Sequence, residues 1–122
     1  LGRLAREVVS IERHADLADA ARARLQAQGI ANVRIDTADA FAWQSPRRFD
    51  AILVGGAVAA LPERFAEWLR PGGRMFLVHG RAPAMEAALA HRETDGSMRI
   101  ESLFETVLPY LHGAAPAPQF VL

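Results

Sequence analysis

The sequence predicts an α/β fold, with a mostly parallel sheet and an antiparallel strand at its C-terminal end. Short segments rich in β-branched residues alternate with helix-like segments over most of the 122 residues. Strands separated by helices usually lie parallel in one sheet. Near the C-terminus two strand-like segments follow each other without a helix, which indicates antiparallel pairing there. We expect a single domain over residues 1–122, because this length suits one hydrophobic core.

The N-terminal third begins with a strand over residues 8–11, which is short and β-branched. A helix is predicted over 15–28, because apolar residues recur on one face. These residues are Leu17, Ala21 and Leu25. Gly29 is a suitable residue just beyond the helix end, and Ile30 could pack back on the last turn as in a Schellman motif. A second strand is predicted over 33–36.

The rest of the chain contains the clearest strand, over residues 49–54, which we expect Gly55 and Gly56 to end. The remaining predicted elements are a helix over 62–69, a turn over 70–73, a strand over 74–79, a helix over 83–91, a strand over 98–107 and a last strand over 120–122. The segment 38–43 fits neither a helix nor a strand pattern.

Composition argues against several classes of protein. Formal net charge is zero and the 14 basic residues, all Arg, are scattered, which argues against a nucleic-acid partner. No apolar run is long enough to span a membrane, and nothing resembles a signal peptide, so we expect a cytoplasmic protein without a membrane partner. Cysteine is absent and the four His have no ligand-like spacing, so no metal site is predicted.

Candidate ligand-binding residues follow the predicted strands, because ligands of open α/β sheets bind beyond the carboxyl ends of the strands. Glu12 could accept both hydroxyls of a ribose, although a solvated acid or a helix N-terminal charge is an equal alternative. Asp39 could accept a hydrogen bond from an adenine amino group, or could cap a turn. Gly55 and Gly56 would allow a ligand close to the backbone, or form a simple turn. No pair of side chains indicates a catalytic nucleophile, so catalytic residues are not predicted.

Several motifs, in this order, resemble the protein-L-isoaspartate O-methyltransferase family. They are VVSIE at 8–12, GIANV at 29–33, FDAILV at 49–54, LP at 61–62 and LRPGGR at 69–74. The resemblance covers nearly the whole chain and implies a Rossmann-like class I methyltransferase fold that uses S-adenosyl-L-methionine (SAM). It also implies that the family's first strand and Gly-rich loop would lie upstream of Leu1, so that the sequence is N-terminally truncated.

The resemblance also implies roles for individual residues. Glu12, with Arg13 beside it, would hold the SAM ribose. Asp39 and Ala40 would contact the adenine. Val54 and Gly55 would line the methionine end of the cofactor.

The implied reaction transfers a methyl group to the carboxylate of an isoaspartyl residue in a damaged protein or peptide. This chain departs from the family at Ala38-Asp39-Ala40, where the family has Gly-Asp-Gly, and at Val78-His79-Gly80, where it often has Pro-Val-Gly. A small carboxylic acid is therefore a second candidate substrate.

Two other functions remain open at this point. One is a non-catalytic Rossmann-like remnant or partner-binding module that has lost the SAM loop. The other is a nicotinamide-binding domain, because NAD enzymes place an acid in a position like that of Glu12. Without the family's first strand, the strands at 8–11 and 49–54 would each have an unpaired edge, through which copies of the chain could associate.

Overall fold

The computed structural model describes residues 5–111 and 113–115. The elements in chain order are β1 (Val8–Glu12), α1 (Ala15–Ala27), β2 (Val33–Thr37), β3 (Phe49–Val58), α2 (Glu63–Glu67), β4 (Leu69–Arg81), β5 (Ala84–Arg92) and β6 (Met98–Glu105). The chain divides into two compact units, Leu1–Gln44 and Ser45–Leu122. The expectation that both belong to one domain stays a prediction.

The first unit consists of a two-stranded parallel sheet and one helix. β1 pairs with β2 in a register that runs from Val8 opposite Val33 to Glu12 opposite Thr37. Helix α1 connects the two strands, as expected for a parallel β-α-β unit. The predicted strands and helix of this unit are thus confirmed, with bounds shifted by one residue at three of their ends.

Helix α1 ends in the predicted Schellman motif. Gly29 has a φ of +68°, which a residue without a Cβ adopts at no steric cost. The backbone N–H of Ile30 donates to the Leu25 carbonyl at 2.9 Å, and that of Gly29 donates to the Gln26 carbonyl at 3.1 Å. These two bonds satisfy carbonyls that the helix end would otherwise leave unpaired.

The second unit contains a four-stranded sheet in the order β3-β4-β5-β6. β3 and β4 are parallel, whereas β4 with β5 and β5 with β6 are antiparallel. This combination of parallel pairs and an antiparallel C-terminal part confirms the predicted fold class. The largest fully buried side chains are Leu69, Met75, Leu77, Val58 and Val78, which lie in or at the start of β3 and β4.

The prediction of a helix over residues 83–91 was wrong, because this segment forms β5. Its alanines favour a helix in isolation. In the sheet, however, Ala87, Ala88 and Ala90 are fully buried on a strand that has neighbours on both sides. The small side chains allow other groups to pack closely against β5, and this tertiary environment outweighs the local helix propensity.

Two predicted strand boundaries were also wrong. Gly55 and Gly56 do not end β3, which continues to Val58. The predicted turn at residues 70–73 lies inside β4, which already begins at Leu69. The register between β3 and β4 shifts there, and Gly72 in the irregular stretch has a φ of +84°. In both places glycine marks a bulge rather than the end of a strand.

The remaining predictions differ little from the structure. The helix predicted at 62–69 is shorter, with Pro62 as the N-cap of α2. The strand predicted over 98–107 ends at Glu105. The strand predicted over 120–122 lies outside the described residues. Within the described part of the chain, no helix is both long and apolar enough to cross a membrane.

Candidate functional site

The carboxylate of Glu12 lies at the carboxyl end of β1, where the chain turns into α1. The side chain is partly buried, and its Oε1 accepts a hydrogen bond from the backbone N–H of His14 at 3.1 Å. This bond uses one carboxylate oxygen and holds the group near the N-terminal end of the helix. Arg13, the next residue, lies in the exposed bend between the two elements.

The end of β2 lies directly beside the end of β1. The two strands are in register up to Glu12 and Thr37, and the backbone N–H of Ala38 then donates to the Glu12 carbonyl at 2.9 Å. This additional bond continues the parallel ladder for one more residue. It therefore brings the chain that leads to Asp39 next to the turn that carries Glu12.

Asp39 and Ala40 belong to a tight turn that follows β2. Oδ1 of Asp39 accepts a hydrogen bond from the backbone N–H of Phe41 at 2.9 Å. The Asp39 carbonyl accepts from the N–H groups of Ala42 and Trp43, at 3.0 and 2.8 Å. Asp39 therefore organises its own turn, as the alternative interpretation of the sequence suggested, and at the same time presents a partly buried carboxylate at the strand end.

Arg22 stabilises this unit, a role that sequence reasoning missed. Its Nε and Nη2 donate to the carbonyl of Ile35 at 3.1 and 2.7 Å, and Nη2 also donates to Oγ1 of Thr37 at 3.1 Å. Nη1 binds Asp19 at 2.8 Å on the same helix. The guanidinium thus joins α1 to the last residues of β2. Nothing in the spacing of the scattered Arg residues distinguished this one.

Trp43 contributes a second connection that the sequence did not indicate. Its indole N–H donates to Oδ2 of Asp36 at 3.2 Å, and Arg34 binds the same carboxylate at 3.0 and 3.1 Å. The indole ties the turn that begins at Asp39 to strand β2, which fixes the turn against the strand end.

In the second unit, Val54 and Gly55 lie in a bulge of β3. Leu53 is opposite Phe76 and Ala57 is opposite Val78, so three residues of β3 face one residue of β4. Val54 is buried, whereas Gly55 is exposed. Apart from its two chain neighbours, a Cβ built on Gly55 would meet no atom of the described residues within 4 Å. Packing within the described chain therefore gives no reason for a glycine at this position.

Gly56, in contrast, lies close to a neighbouring residue. A Cβ built there would lie 2.8 Å from Cδ2 and 3.3 Å from the backbone nitrogen of Leu111. The segment around Leu111 approaches so closely because it forms a parallel bridge with β3, with Ala57 opposite Tyr110. The two adjacent glycines therefore differ: Gly56 packs closely against Leu111, and Gly55 faces open space.

An open pocket of about 520 Å³ lies at the C-terminal end of β4. His79, Glu86 and Glu105 supply its polar lining, and they lie side by side on three adjacent strands. Nε2 of His79 is 3.0 Å from Oε1 of Glu86 and shielded from solvent, but the two groups are not aligned as a hydrogen bond. Sequence reasoning assigned this His no role. Within the described residues, no group of His, Asp and Glu side chains is arranged to hold a metal ion.

A model of one protein family matches residues 2–111 of the chain, and its description is protein-L-isoaspartate(D-aspartate) O-methyltransferase. The chain belongs to this family. The motifs that suggested the resemblance, from residue 8 to residue 74, all lie inside the matched region. The model of the protein-L-isoaspartate O-methyltransferase family thus matches nearly the whole sequence.

Curated members of the family support this assignment. A protein-L-isoaspartate O-methyltransferase 2 of Rhodopseudomonas palustris is 38% identical over 117 residues, which are 94% of this chain and 54% of that protein. A protein-L-isoaspartate O-methyltransferase of Methylorubrum populi is 42% identical over 103 residues, or 84% of this chain and 47% of that protein. The chain thus spans about half the length of the curated relatives it matches.

Two solved structures of this family share the fold. A beta-aspartate methyltransferase from Plasmodium falciparum, in complex with S-adenosyl-L-homocysteine, superposes with a TM-score of 0.75 over 86% of this chain and 52% of that chain, at 20% identity. A second protein-L-isoaspartate O-methyltransferase gives a TM-score of 0.66 over 86% of this chain and 35% of that chain, at 24% identity. At these identities the likeness establishes the fold.

Proposed function

We propose that this chain is the cofactor-binding part of a SAM-dependent methyltransferase that transfers a methyl group to a carboxylate, with isoaspartyl residues of damaged proteins or peptides as the acceptor. The observation that carries the proposal is the placement of two carboxylates, Glu12 and Asp39, at adjacent ends of parallel strands. Membership of the isoaspartyl methyltransferase family supplies the reaction class. A cytoplasmic location is part of the same proposal.

The side chains present fit the cofactor that the family implies. A carboxylate at the position of Glu12 can accept hydrogen bonds from both ribose hydroxyls, and such charge-assisted bonds contribute about 1.5–3 kcal/mol each. Only one of its oxygens is used by the His14 backbone. Asp39 can accept from the adenine amino group, because its turn likewise uses only Oδ1 among the bonds described. Ala40 would lie against the ring, and Arg13 would flank the ribose.

The bulge of β3 supports the assignment of Val54 and Gly55. Bulges often lie next to active sites, where they redirect the backbone. The open space beside Gly55 would let the methionine part of a cofactor approach the main chain, which a Cβ would obstruct. The proposal thus gives this glycine a role that packing within the described chain does not.

The chemistry needs little from the chain beyond binding and alignment. SAM supplies a methyl group that its sulfonium already activates for transfer. The acceptor carboxylate is already an anionic nucleophile, so no general base is required. The residues named here would hold the donor in one orientation, and the rate gain would come from alignment and the exclusion of water. We assign no catalytic residue in this chain.

The proposal is tested by thermal unfolding with and without S-adenosylhomocysteine. A ligand present at a hundredfold its Kd stabilises a competent native state by about 2.7 kcal/mol, so we expect a clear upward shift in Tm. NAD at the same concentration should give no shift, and a shift with NAD instead would favour a nicotinamide-binding domain. A cooperative transition that neither compound moves would contradict the proposal and favour a non-catalytic module.

The acceptor is tested separately, on an enzyme preparation that binds the cofactor. We expect methyl incorporation into an isoaspartyl peptide and none into the matched peptide with ordinary aspartate. Methylation of a small carboxylic acid in place of the peptide would support the reaction class but contradict the assignment of isoaspartyl residues as the acceptor. The cofactor and acceptor assignments can therefore fail independently.

A further inference from the structure

Strand β6 is the edge of the four-stranded sheet, with β5 as its neighbour among the described strands. Edge strands present a row of unpaired N–H and C=O groups to solvent, and natural proteins block such edges with charged side chains, above all Lys, with Pro or with bulges. Residues 98–107 contain neither Lys nor Pro, and their charged residues are of both signs: Arg99, Glu101 and Glu105. Four large apolar side chains on and just beyond this strand are exposed: Ile100 (44%), Leu103 (42%), Phe104 (57%) and Val107 (60%).

A bulge limits the part of this edge that can pair. Ala88 is opposite Ser102 and Ala87 is opposite Phe104, so Leu103 is an extra residue in β6. A bulge bends a strand and interrupts its ladder. The regular stretch that precedes it runs from residue 98 to residue 102, and it pairs with β5 residue by residue.

This regular stretch is complementary to itself. If two copies meet in antiparallel orientation with Ile100 opposite Ile100 of the second copy, Arg99 of each copy lies opposite Glu101 of the other. Directly opposite residues in an antiparallel pair project from the same face, with Cβ atoms about 4.5–5.5 Å apart. The register therefore gives two charge pairs on one face and an apolar contact on the other.

The charged side chains are able to reach a second copy. Arg99 binds Glu93 through Nε at 2.8 Å, and its side chain is 57% exposed. A guanidinium has four further N–H donors for a second carboxylate. Glu101 contacts His91 through Oε1 at 3.0 Å, and its side chain is 49% exposed. Both groups thus retain bonding capacity on the open side of the strand.

We propose that β6 is a homodimer interface, in which residues 98–102 of two copies pair antiparallel about Ile100. The occupant of the edge is a second copy because the sequence of the stretch matches itself in charge and in apolar character. The two sheets would then join into one of eight strands, with the closed two-fold symmetry typical of homodimers. A five-residue strand pair is smaller than a standard stable interface, so the dimer should be weak and concentration-dependent.

The proposal is tested by disulfide trapping, for which the chain is well suited because it contains no cysteine. In the proposed register the two Ile100 Cα atoms lie about 4.5–5.5 Å apart, within the range that a disulfide bridges. Ile100→Cys should therefore form a covalent dimer under mild oxidation. Met98→Cys is the matched control, because its two copies would be about 13 Å apart along the strands and unable to bridge.

A mixture of two variants tests the register itself. Met98 lies opposite Ser102 of the second copy, so Met98→Cys and Ser102→Cys should each remain monomeric alone and give a heterodimer when mixed. Ile100→Cys that cross-links no faster than Met98→Cys would overturn the proposal. A mixture that yields no more dimer than its separate components would also overturn it.

The charge pairs are tested in the Ile100→Cys background. Glu101→Arg should slow cross-linking about tenfold, because like charges directly opposite each other destabilise a strand pair. Adding Arg99→Glu restores the complementarity and should restore the rate. A rate that the single reversal leaves unchanged would contradict this register.

Discussion

The side chain of Tyr110 is hydrogen-bonded to the backbone of Gly80. Its hydroxyl donates to the Gly80 carbonyl at 2.9 Å and accepts from the N–H of Ala82 at 3.1 Å. The ring packs against a buried cluster of Ala57, Val78, Met85 and Ala87. A single side chain thus connects the segment after β6 to the end of β4 and to the core.

Replacing Tyr110 by Phe tests the contribution of this hydroxyl. The ring contacts stay, while one backbone donor and one backbone acceptor lose their partner. We expect the free energy of unfolding to fall by about 0.5–1.5 kcal/mol, measured by urea denaturation at constant m-value. An unchanged denaturation midpoint would show that water replaces both bonds without loss.

The glycines of β3 offer a matched pair of substitutions. Gly56→Ala places a Cβ against Leu111 and should cost about 1–3 kcal/mol of stability through overpacking. The Cβ of Gly55→Ala meets no atom of the described part of the chain beyond its neighbours. This substitution should leave stability unchanged or raise it by about 0.4–1 kcal/mol, because Ala has fewer unfolded conformations. Thermal unfolding of both variants measures the difference.

The affinity for the cofactor should respond to these substitutions differently from the stability of the fold. If Gly55 lies against the methionine part of the cofactor, Gly55→Ala weakens S-adenosylhomocysteine binding although the protein is as stable as before. Isothermal titration calorimetry measures the affinity. Equal affinity of Gly55→Ala and the unmodified chain would remove Gly55 from the proposed site.

Glu12 is the residue on which cofactor affinity should depend most. Glu12→Ala and Glu12→Gln should each weaken S-adenosylhomocysteine binding by a few kcal/mol, since each charge-assisted bond to ribose contributes about 1.5–3 kcal/mol. Asp16→Asn is the control, because Asp16 is an exposed acid in the first turn of α1. An affinity that Glu12→Ala leaves unchanged would refute the assignment of Glu12.

We expect the turn between β5 and β6 to lose stability at low pH, because of Asp95. The Ser97 hydroxyl donates to Oδ1 of Asp95 at 2.6 Å, and the Ser97 N–H donates to the same oxygen at 2.9 Å. These bonds lower the pKa of Asp95 below its ordinary value. Its favourable contribution is therefore fully present above the unfolded-state pKa and is lost as the pH falls through the folded-state pKa.

Ser97→Ala should move the pKa of Asp95 upward, because the hydroxyl bond is the larger of the two effects. An NMR titration of the Asp95 carboxyl measures this change. Ser102→Ala serves as the control, since that hydroxyl binds Glu86. A pKa of Asp95 that is the same in both variants would contradict the assigned cause.

The sequence was sufficient where local chemistry decides the structure. The Schellman end of α1 needed only Gly29 followed by an apolar residue, and both of its hydrogen bonds are present. The strand at residues 8–11, with Glu12 directly after it, was predicted from β-branched residues that lead to a lone acid. In these places the local signal and the tertiary environment agree.

The sequence was insufficient where packing between distant segments decides the structure. The alanines of β5 are helix formers, and only the neighbours β4 and β6 make them a strand. From the sequence alone, Gly56 indicates the end of a strand. The close approach of Leu111 to Gly56 is visible only in the structure. The same holds for Arg22, whose bonds to Ile35 and Thr37 span 13 and 15 residues.

The short connections between β4, β5 and β6 bear on the order in which the second unit forms. Residues 82–83 join the first two of these strands and residues 93–97 the next two, whereas residues 59–68 separate β3 from β4. Closing a short loop costs less chain entropy than closing a long one, and local contacts form faster. We therefore expect the antiparallel strands β4, β5 and β6 to pair first in folding. The parallel strand β3, which carries Val54 and Gly55, would then pair with β4 of the three-stranded sheet already formed.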